Sequence, residues 1–314
     1  MIAPKNQPPL QILLAVDGSE HTEAAVQLLC HLPLPPGSHV IAAGVVTPHR
    51  KPAATLREVQ LLLRDKVRTT MECLSGHPAQ AFTEFAKVHQ SNLIVIGATG
   101  LRAVLGILLD GVAQQVVEAA DRPVLVVRSP CRGLRQVLLV AEDSPNSRAA
   151  VNYLARFPFP TRTQVRVMYV LPPRHAAVSY PFAYPAVLQG LPPPLITNEA
   201  AEAMEEELAY KESEGRAIIE QAVKTLRIAG KAAKGVLTWG DAAAEIMAYS
   251  ETQAIDLIVT GSRGLGKVEG WLRGSISRKL IHSAGCSVLL VKGQEDLRQK
   301  EMAKWSERIE LDSR

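Results

Sequence analysis

The chain has 314 residues, 47% of them hydrophobic and 21% charged, enough for two domains that each bury a core. Its 35 Lys and Arg against 31 Asp and Glu leave a net charge of +4 spread along the chain, which excludes the clustered basic face of a nucleic-acid binder. The opening MIAPKNQPPL lacks a basic run followed by an apolar one, and the most apolar stretch, 93–109, is interrupted by Arg102 and three glycines. Neither a signal peptide nor a membrane span is expected. Cys30, Cys73, Cys131 and Cys286 stand far apart in the sequence, as expected for reduced thiols in a cytoplasmic protein without a metal site.

The chain is written twice. ILLAVDGSEHTEAAV from Ile12 is matched by VLLVAEDSPNSRAAV from Val137, NLIVIGATG from Asn92 by DLIVTGSRG from Asp256, and RPVLVVR from Arg122 by CSVLLVK from Cys286. The offset grows from 125 residues at the first pair to 164 at the other two, so the second copy carries 39 more residues. In the first copy the apolar runs predict strands at 12–16, 40–45, 68–74, 93–96 and 124–127. In the second they fall at 137–141, 164–170, 232–238, 257–260 and 288–291. Segments of helical period separate them, the pattern of a parallel sheet covered by helices on both faces. The predicted fold is therefore α/β, two tandem doubly wound domains of five parallel strands each. The predicted domains are residues 1–130 and 131–293, followed by a charged helical tail at 294–314. The extra residues lie mostly at 171–210, a loop with Tyr180, Phe182 and Tyr184 and then an acidic helix from about Asn198. That insertion is either a surface excursion or a flap that docks a partner. In the tail, Leu297, Met302, Trp305 and Ile309 stand at loosely helical spacing and would dock on a neighbouring domain or chain, or fray.

The chemistry concentrates in the second copy, where GSRGLGKVEGWLRGSIS runs from Gly261 to Ser277 after the fourth strand. Ligands of open parallel sheets sit outside the carboxyl ends of the strands, where the strand order reverses, and this loop leaves the sheet there. Gly261 and Gly264 allow close backbone approach, and Gly274 with Ser275 opens a helix with Ile276, Leu280, Ile281 and Ala284 toward the sheet. The free amides of that helix and the Ser275 and Ser277 hydroxyls form an anion site. Arg263, Lys267 and Arg273 against Glu269 give the segment +2, which suits a polyphosphate. A P-loop would need Ser or Thr where Val268 stands, and a dinucleotide fingerprint would need Gly where Glu269 stands. A glycine-rich turn without ligand is the remaining structural alternative.

The spacing Gly261-x2-Gly264-x9-Gly274-Ser275 is similar to the ATP-binding signature of the universal stress protein family, and LLAVDGSEHTEAAV resembles that family's opening. The resemblance covers both copies, nearly all of residues 11–292. It implies strand order 3-2-1-4-5, adenine-nucleotide binding where this loop is present, and pairing of domains through the fifth strands. That pairing is possible within one chain or in a homodimer. Residue by residue, it implies Gly261, Arg263 and Gly264 on the ribose and phosphate side, and Gly274, Ser275, Ile276 and Ser277 at the phosphates. It implies the backbone of Val170 at the adenine, and Val140, Ala141 and Glu142 beside base and ribose. Family members usually have Asp where Glu142 stands, as the first copy does at Asp17, and Asp143 replaces a small residue.

The first copy's loop keeps Gly97 and Gly100, but Asp110 takes the place of Gly274, and the loop's net charge is zero. Repulsion between that carboxylate and a phosphate costs over about 1 kcal/mol at close range. One nucleotide per chain, in the second domain, is the expectation, ATP or a related adenine nucleotide, with Mg²⁺ or Mn²⁺ held mainly by the phosphates. No catalytic residue and no protein metal ligand is assigned: the eight histidines show no H-x-x-x-H spacing, and only His282 lies on the helix after the loop. The expected function is a nucleotide-responsive stress-response factor with an unidentified protein partner, without nucleic acid or membrane. A nucleotide-independent interaction scaffold and a slow ATPase are the alternatives.

Overall fold

The computed structural model describes residues 7–47, 51–98, 111–131, 133–173, 198–262 and 275–292. The first half runs β1 (Gln11–Ala15), α1 (Glu20–His31), β2 (His39–Val45), α2 (Ala53–Leu63), β3 (Arg68–Leu74), α3 (Pro78–Val88), β4 (Leu93–Gly97), α4 (Val112–Ala119) and β5 (Val124–Val127). The second half repeats it with β6 (Gln136–Val140), α5 (Pro145–Arg156), β7 (Gln164–Leu171), α6 (Asn198–Ile228), β8 (Ala232–Trp239), α7 (Ala242–Thr252), β9 (Leu257–Gly261), α8 (Ser275–Ser283) and β10 (Ser287–Val291). Each strand is found within a residue of its predicted ends. The acidic helix begins at Asn198 and runs 31 residues. The Tyr180–Tyr184 loop and the tail lie outside the described residues.

The order β3-β2-β1-β4-β5-β10-β9-β6-β7-β8 repeats 3-2-1-4-5 in each half. The two five-stranded sheets form one ten-stranded sheet, because β10 lies antiparallel to β5 with Leu290 opposite Val124 and Val288 opposite Val126. Pairing within a half is parallel throughout. Alternation along each strand sends Ile12, Leu14, Leu125, Val137, Leu139 and Leu289 to one core under α1, α2, α5 and α6. Leu13, Ile94, Val126, Leu138, Ile258 and Leu290 go to the opposite core under α3, α4, α7 and α8. Both cores cross from one half to the other, so the seam is continuous with the interior.

Two cations clasp that seam. Arg128, just past β5, donates from its guanidinium to the carbonyls of Ile281 and His282 (3.2 Å to the latter) at the end of α8. Lys292, just past β10 and 164 positions later, donates to the carbonyls of Glu118 (3.3 Å) and Ala120 at the end of α4. Helix carboxyl termini carry orphan carbonyls and partial negative charge, so each half supplies the cap that the other half's last helix needs.

The thiols differ in what surrounds them. Burial raises Cys286, in the turn before β10, to about 11 even though the Arg128 charge opposes the shift; Cys73 on β3 is exposed. An unfolded thiol ionises near pH ~8.5, so burial of the neutral Cys286 stabilises the fold fully below that pH and is lost as pH rises toward 11. Stability is expected to fall by about 2–3 kcal/mol over that interval, and Cys286→Ala should flatten this part of the pH curve. Denaturant titrations at pH 8, 9.5 and 11 check it; identical slopes for variant and parent would refute it.

Candidate functional site

The second half's strand order reverses at β6, with β7 on one side and β9 on the other. Register sets Val140 level with Met168 of β7 and Thr260 of β9, so Val140 and Gly261 end strands, and Val170 stands one residue before the end of β7, at the same edge of the sheet. Val140, Val170 and Ile276 are partly buried against the same core, the one under α7 and α8. Ser277 is buried in the first turn of α8, while Leu280, Ile281 and Ala284 seat that helix on the sheet. Arg263, Gly264 and Gly274 lie outside the described residues, as does Asp110 of the first half. His282 sits at the far end of α8 from Ser275, its ring nitrogens buried without a hydrogen-bond partner.

Ala141 and Glu142 point the other way. The Ala141 amide extends the ladder to Met168 O (2.8 Å), and the Ala141 side chain joins the core under α5. The Glu142 amide donates to Ser147 Oγ (2.9 Å), and Ser144 Oγ donates to Glu142 Oε1 (3.0 Å). Ser144 also caps α5 by accepting from the Ser147 amide (3.0 Å). In the first half, Oδ1 of the shorter Asp17 accepts from Ser19 Oγ (2.6 Å), the Ser19 amide (3.0 Å) and Thr22 Oγ1 (2.6 Å). In both halves the carboxylate at the end of the first strand fastens the turn into the next helix. Asp143 pairs with Arg148 (2.9 Å) at the surface.

The cavity beside Glu142 lies between α5 and α6, is lined also by Val151, Ile218 and Ala222, and holds about 130 Å³. That is below the several hundred Å³ of a small-molecule pocket. Carboxylates crowd this side: burial, then Glu214, Asp143 and Glu142, raise the Tyr169 phenol above its ordinary value. Negative charge is therefore disfavoured around Tyr169 on the α5 and α6 side.

Gly261 has a requirement that spacing alone does not show. A β-carbon there would come within 2.5 Å of Asn146 C, 2.6 Å of Asn146 O and 2.8 Å of the Ser147 amide nitrogen, all backbone of α5. Gly97 meets the same obstacle in the first half, where a β-carbon would lie 2.7 Å from His21 Cβ and 3.0 Å from His21 C. The helix after the first strand crosses the end of the fourth strand so closely that only glycine fits, whatever the following loop binds. The signal was present in the sequence, since the copy with the altered loop also keeps this glycine.

Among the described residues no His, Cys, Asp and Glu group could hold a metal ion, and no helix is long and apolar enough to cross a membrane. Taken together, the two 3-2-1-4-5 halves, each reversing strand order beside its first strand, define a tandem open, doubly wound α/β protein. The universal stress protein family model matches residues 10–128 and again 133–292, so the chain belongs to that family as a tandem member. It is 44% identical over 64 residues to a universal stress protein of Methanocaldococcus jannaschii, a match spanning 20% of this chain and 38% of that protein. A universal stress protein structure from Archaeoglobus fulgidus covers 90% of this chain and 96% of its own, with TM-score 0.58 and 16% identity, a likeness of fold. Another universal stress protein, solved in complex with cAMP, is 23% identical and covers 38% of this chain and 98% of its own, with TM-score 0.34.

Proposed function

We propose that this chain is a stress-response factor that binds one adenine nucleotide, ATP in the first instance, in its second domain, residues 131–293. The observation that carries the proposal is the convergence of Val140, Val170 and the first turn of α8 on one side of the sheet at the strand switch point. Residues 263–274, which join β9 to that helix, carry net charge +2, whereas 99–110 in the first half carry none. The base lies against Val140 and the Val170 backbone, and the phosphates meet the amides of Gly274, Ser275 and Ile276 and the Ser277 hydroxyl. Arg263 and Gly264 flank ribose and phosphates, and Mg²⁺ or Mn²⁺ rides on the phosphate oxygens. Ala141 and Glu142 act from behind, by fixing the turn into α5 at the mouth of the site. A nucleotide changes partner contacts only if it binds two conformations of the protein unequally.

Calorimetric titration with ATP and Mg²⁺, after mass spectrometry of nucleotide released from desalted, denatured protein, tests the assignment. One equivalent per chain is expected, and Gly274→Asp should weaken binding at least ~10-fold through charge repulsion. Two equivalents would refute the inactive first domain, and unchanged affinity in the variant would refute this loop as the site. No binding at millimolar ATP would leave the nucleotide-independent scaffold as the function.

A further inference from the structure

At the edge of the sheet where the second half's strands begin, a cavity of about 270 Å³ is lined by Ser250, Ile255, Asp256, Gly285 and Cys286, with exposed Glu251 at its rim. It lies at the opposite end of β9 from Gly261, away from the proposed nucleotide. The internal repeat shows what fills the same place in the first half. There Arg122 donates from one guanidinium nitrogen to the carbonyls of Ala86 (2.6 Å) and Ser91 (2.9 Å), and from Nε to Asp121 (2.6 Å). The offset of 164 puts Ser250 and Ile255 where Ala86 and Ser91 stand, and Gly285 and Cys286 where Asp121 and Arg122 stand.

The backbone of the two places agrees bond for bond. The Ser91 amide donates to Ala86 O (2.9 Å), and the Ile255 amide to Ser250 O (2.8 Å). The residue before each donor takes a left-handed φ, 50° at Gln90 and 47° at Ala254. The second half thus keeps the pair of carbonyls that hold a guanidinium in the first, without the side chain that supplies one. Nothing lies within 4 Å of where a Gly285 β-carbon would stand.

Charge has changed in the matching direction. Lys87, Asn92, Asp121 and Arg122 carry +1 in the first half, whereas their counterparts Glu251, Asp256, Gly285 and Cys286 carry −2. The fold does not call for the charge on Asp256. Its Oδ2 accepts the Arg135 and Gln136 amides (2.8 Å each), and neutral Asn92 does the same for the Gln11 amide (2.7 Å). Arg128 lines the cavity from the seam side, but its guanidinium is turned to the Ile281 and His282 carbonyls. With Arg128 counted the charge is still −1. Two carbonyls and two carboxylates around one space suit a planar cation with several donors.

We propose that this cavity binds a small alkylguanidinium, which takes the place that Arg122 holds in the first half, against the Ser250 and Ile255 carbonyls and Asp256. The site is separate from the nucleotide and does not depend on it.

Calorimetric titration of the full chain with agmatine, a guanidinium on a short alkyl chain, tests the proposal. Saturable binding of one equivalent is expected, at least ~10-fold tighter than binding of putrescine, which carries ammonium groups instead. Asp256→Asn and Glu251→Lys install the first half's own residues, and each should weaken agmatine at least ~10-fold. Thermal unfolding checks that both variants fold. Equal affinity for putrescine would overturn the guanidinium assignment, and unchanged affinity in both variants would overturn this cavity as the site. Arg132, between Cys131 and Gly133, is the chain's own competitor. Binding of millimolar agmatine by Arg132→Ala but not by the parent would mean that the chain fills the cavity itself, and the ligand proposal would fall. Absence of binding in both would overturn it as well.

Discussion

Gly261→Ala is expected to destabilise the ligand-free protein by about 3 kcal/mol, at the upper end of what overpacking costs, lowering Tm by roughly 5–10 °C. The added methyl would meet not a yielding side chain but the Asn146 carbonyl carbon and oxygen at 2.5 and 2.6 Å, fixed within the first turn of α5. Either α5 moves off the sheet, opening the core over Leu139 and Val259, or β9 bends and its pairing with β6 suffers. Gly97→Ala should behave alike, though slightly less severely, since its nearest obstacle at 2.7 Å is the His21 β-carbon. Gly285→Ala is the control: nothing lies within 4 Å of where its methyl would stand, and replacing a flexible glycine there should be neutral or slightly stabilising. Thermal and denaturant unfolding without nucleotide decide the matter. A normal Tm for Gly261→Ala would mean that the glycine serves the ligand and not the packing.

Removal of either seam cation should cost about 2 kcal/mol, and Arg128→Ala with Lys292→Ala together about twice that. Each substitution leaves the last carbonyls of the opposite half's helix without their charged donor. The β5–β10 ladder has only three paired positions, so loss of both caps should loosen the seam before the interior of either half. The expected signature is faster proteolysis near Cys131 and Gly133 and faster exchange at Val124–Val127 and Ser287–Val291, with β1 and β6 protected as before. Arg128→Lys should recover much of the loss because the charge persists. Uniformly faster exchange throughout the chain would show that the seam is no weaker than the rest.

The central strands were legible because they are buried on both faces: Leu93–Gly97 and Leu257–Gly261 are buried at every position and read as apolar runs, broken only by Thr260. The outer strands were harder to see for the same physical reason reversed. β3 reads RTTMECL and β8 AAKGVLTW, each half-exposed at an edge of the sheet. The glycines and net positive charge of 261–277, on which the proposed anion site rests, were legible. What Gly261 itself must avoid was not, because the obstacle is backbone more than a hundred positions earlier. Glu142 is expected beside the ribose from the resemblance alone; its fastening of the turn through Ser144 and Ser147 is visible only in the fold. The reciprocal cations were within reach of sequence reasoning, since Arg128 and Lys292 align between copies, but only strand pairing across the seam gives them a purpose.

The antiparallel union of β5 with β10 has an evolutionary consequence. In a symmetric assembly of two identical chains, every substitution arrives twice, and neither partner can change alone. Joining the halves in one polypeptide breaks that obligation while keeping their stoichiometry fixed at one to one. Asp110 can then stand where its counterpart keeps Gly274, and Gly285 and Cys286 where the counterpart keeps Asp121 and Arg122. The two halves are free to specialise without any risk of pairing with the wrong mate.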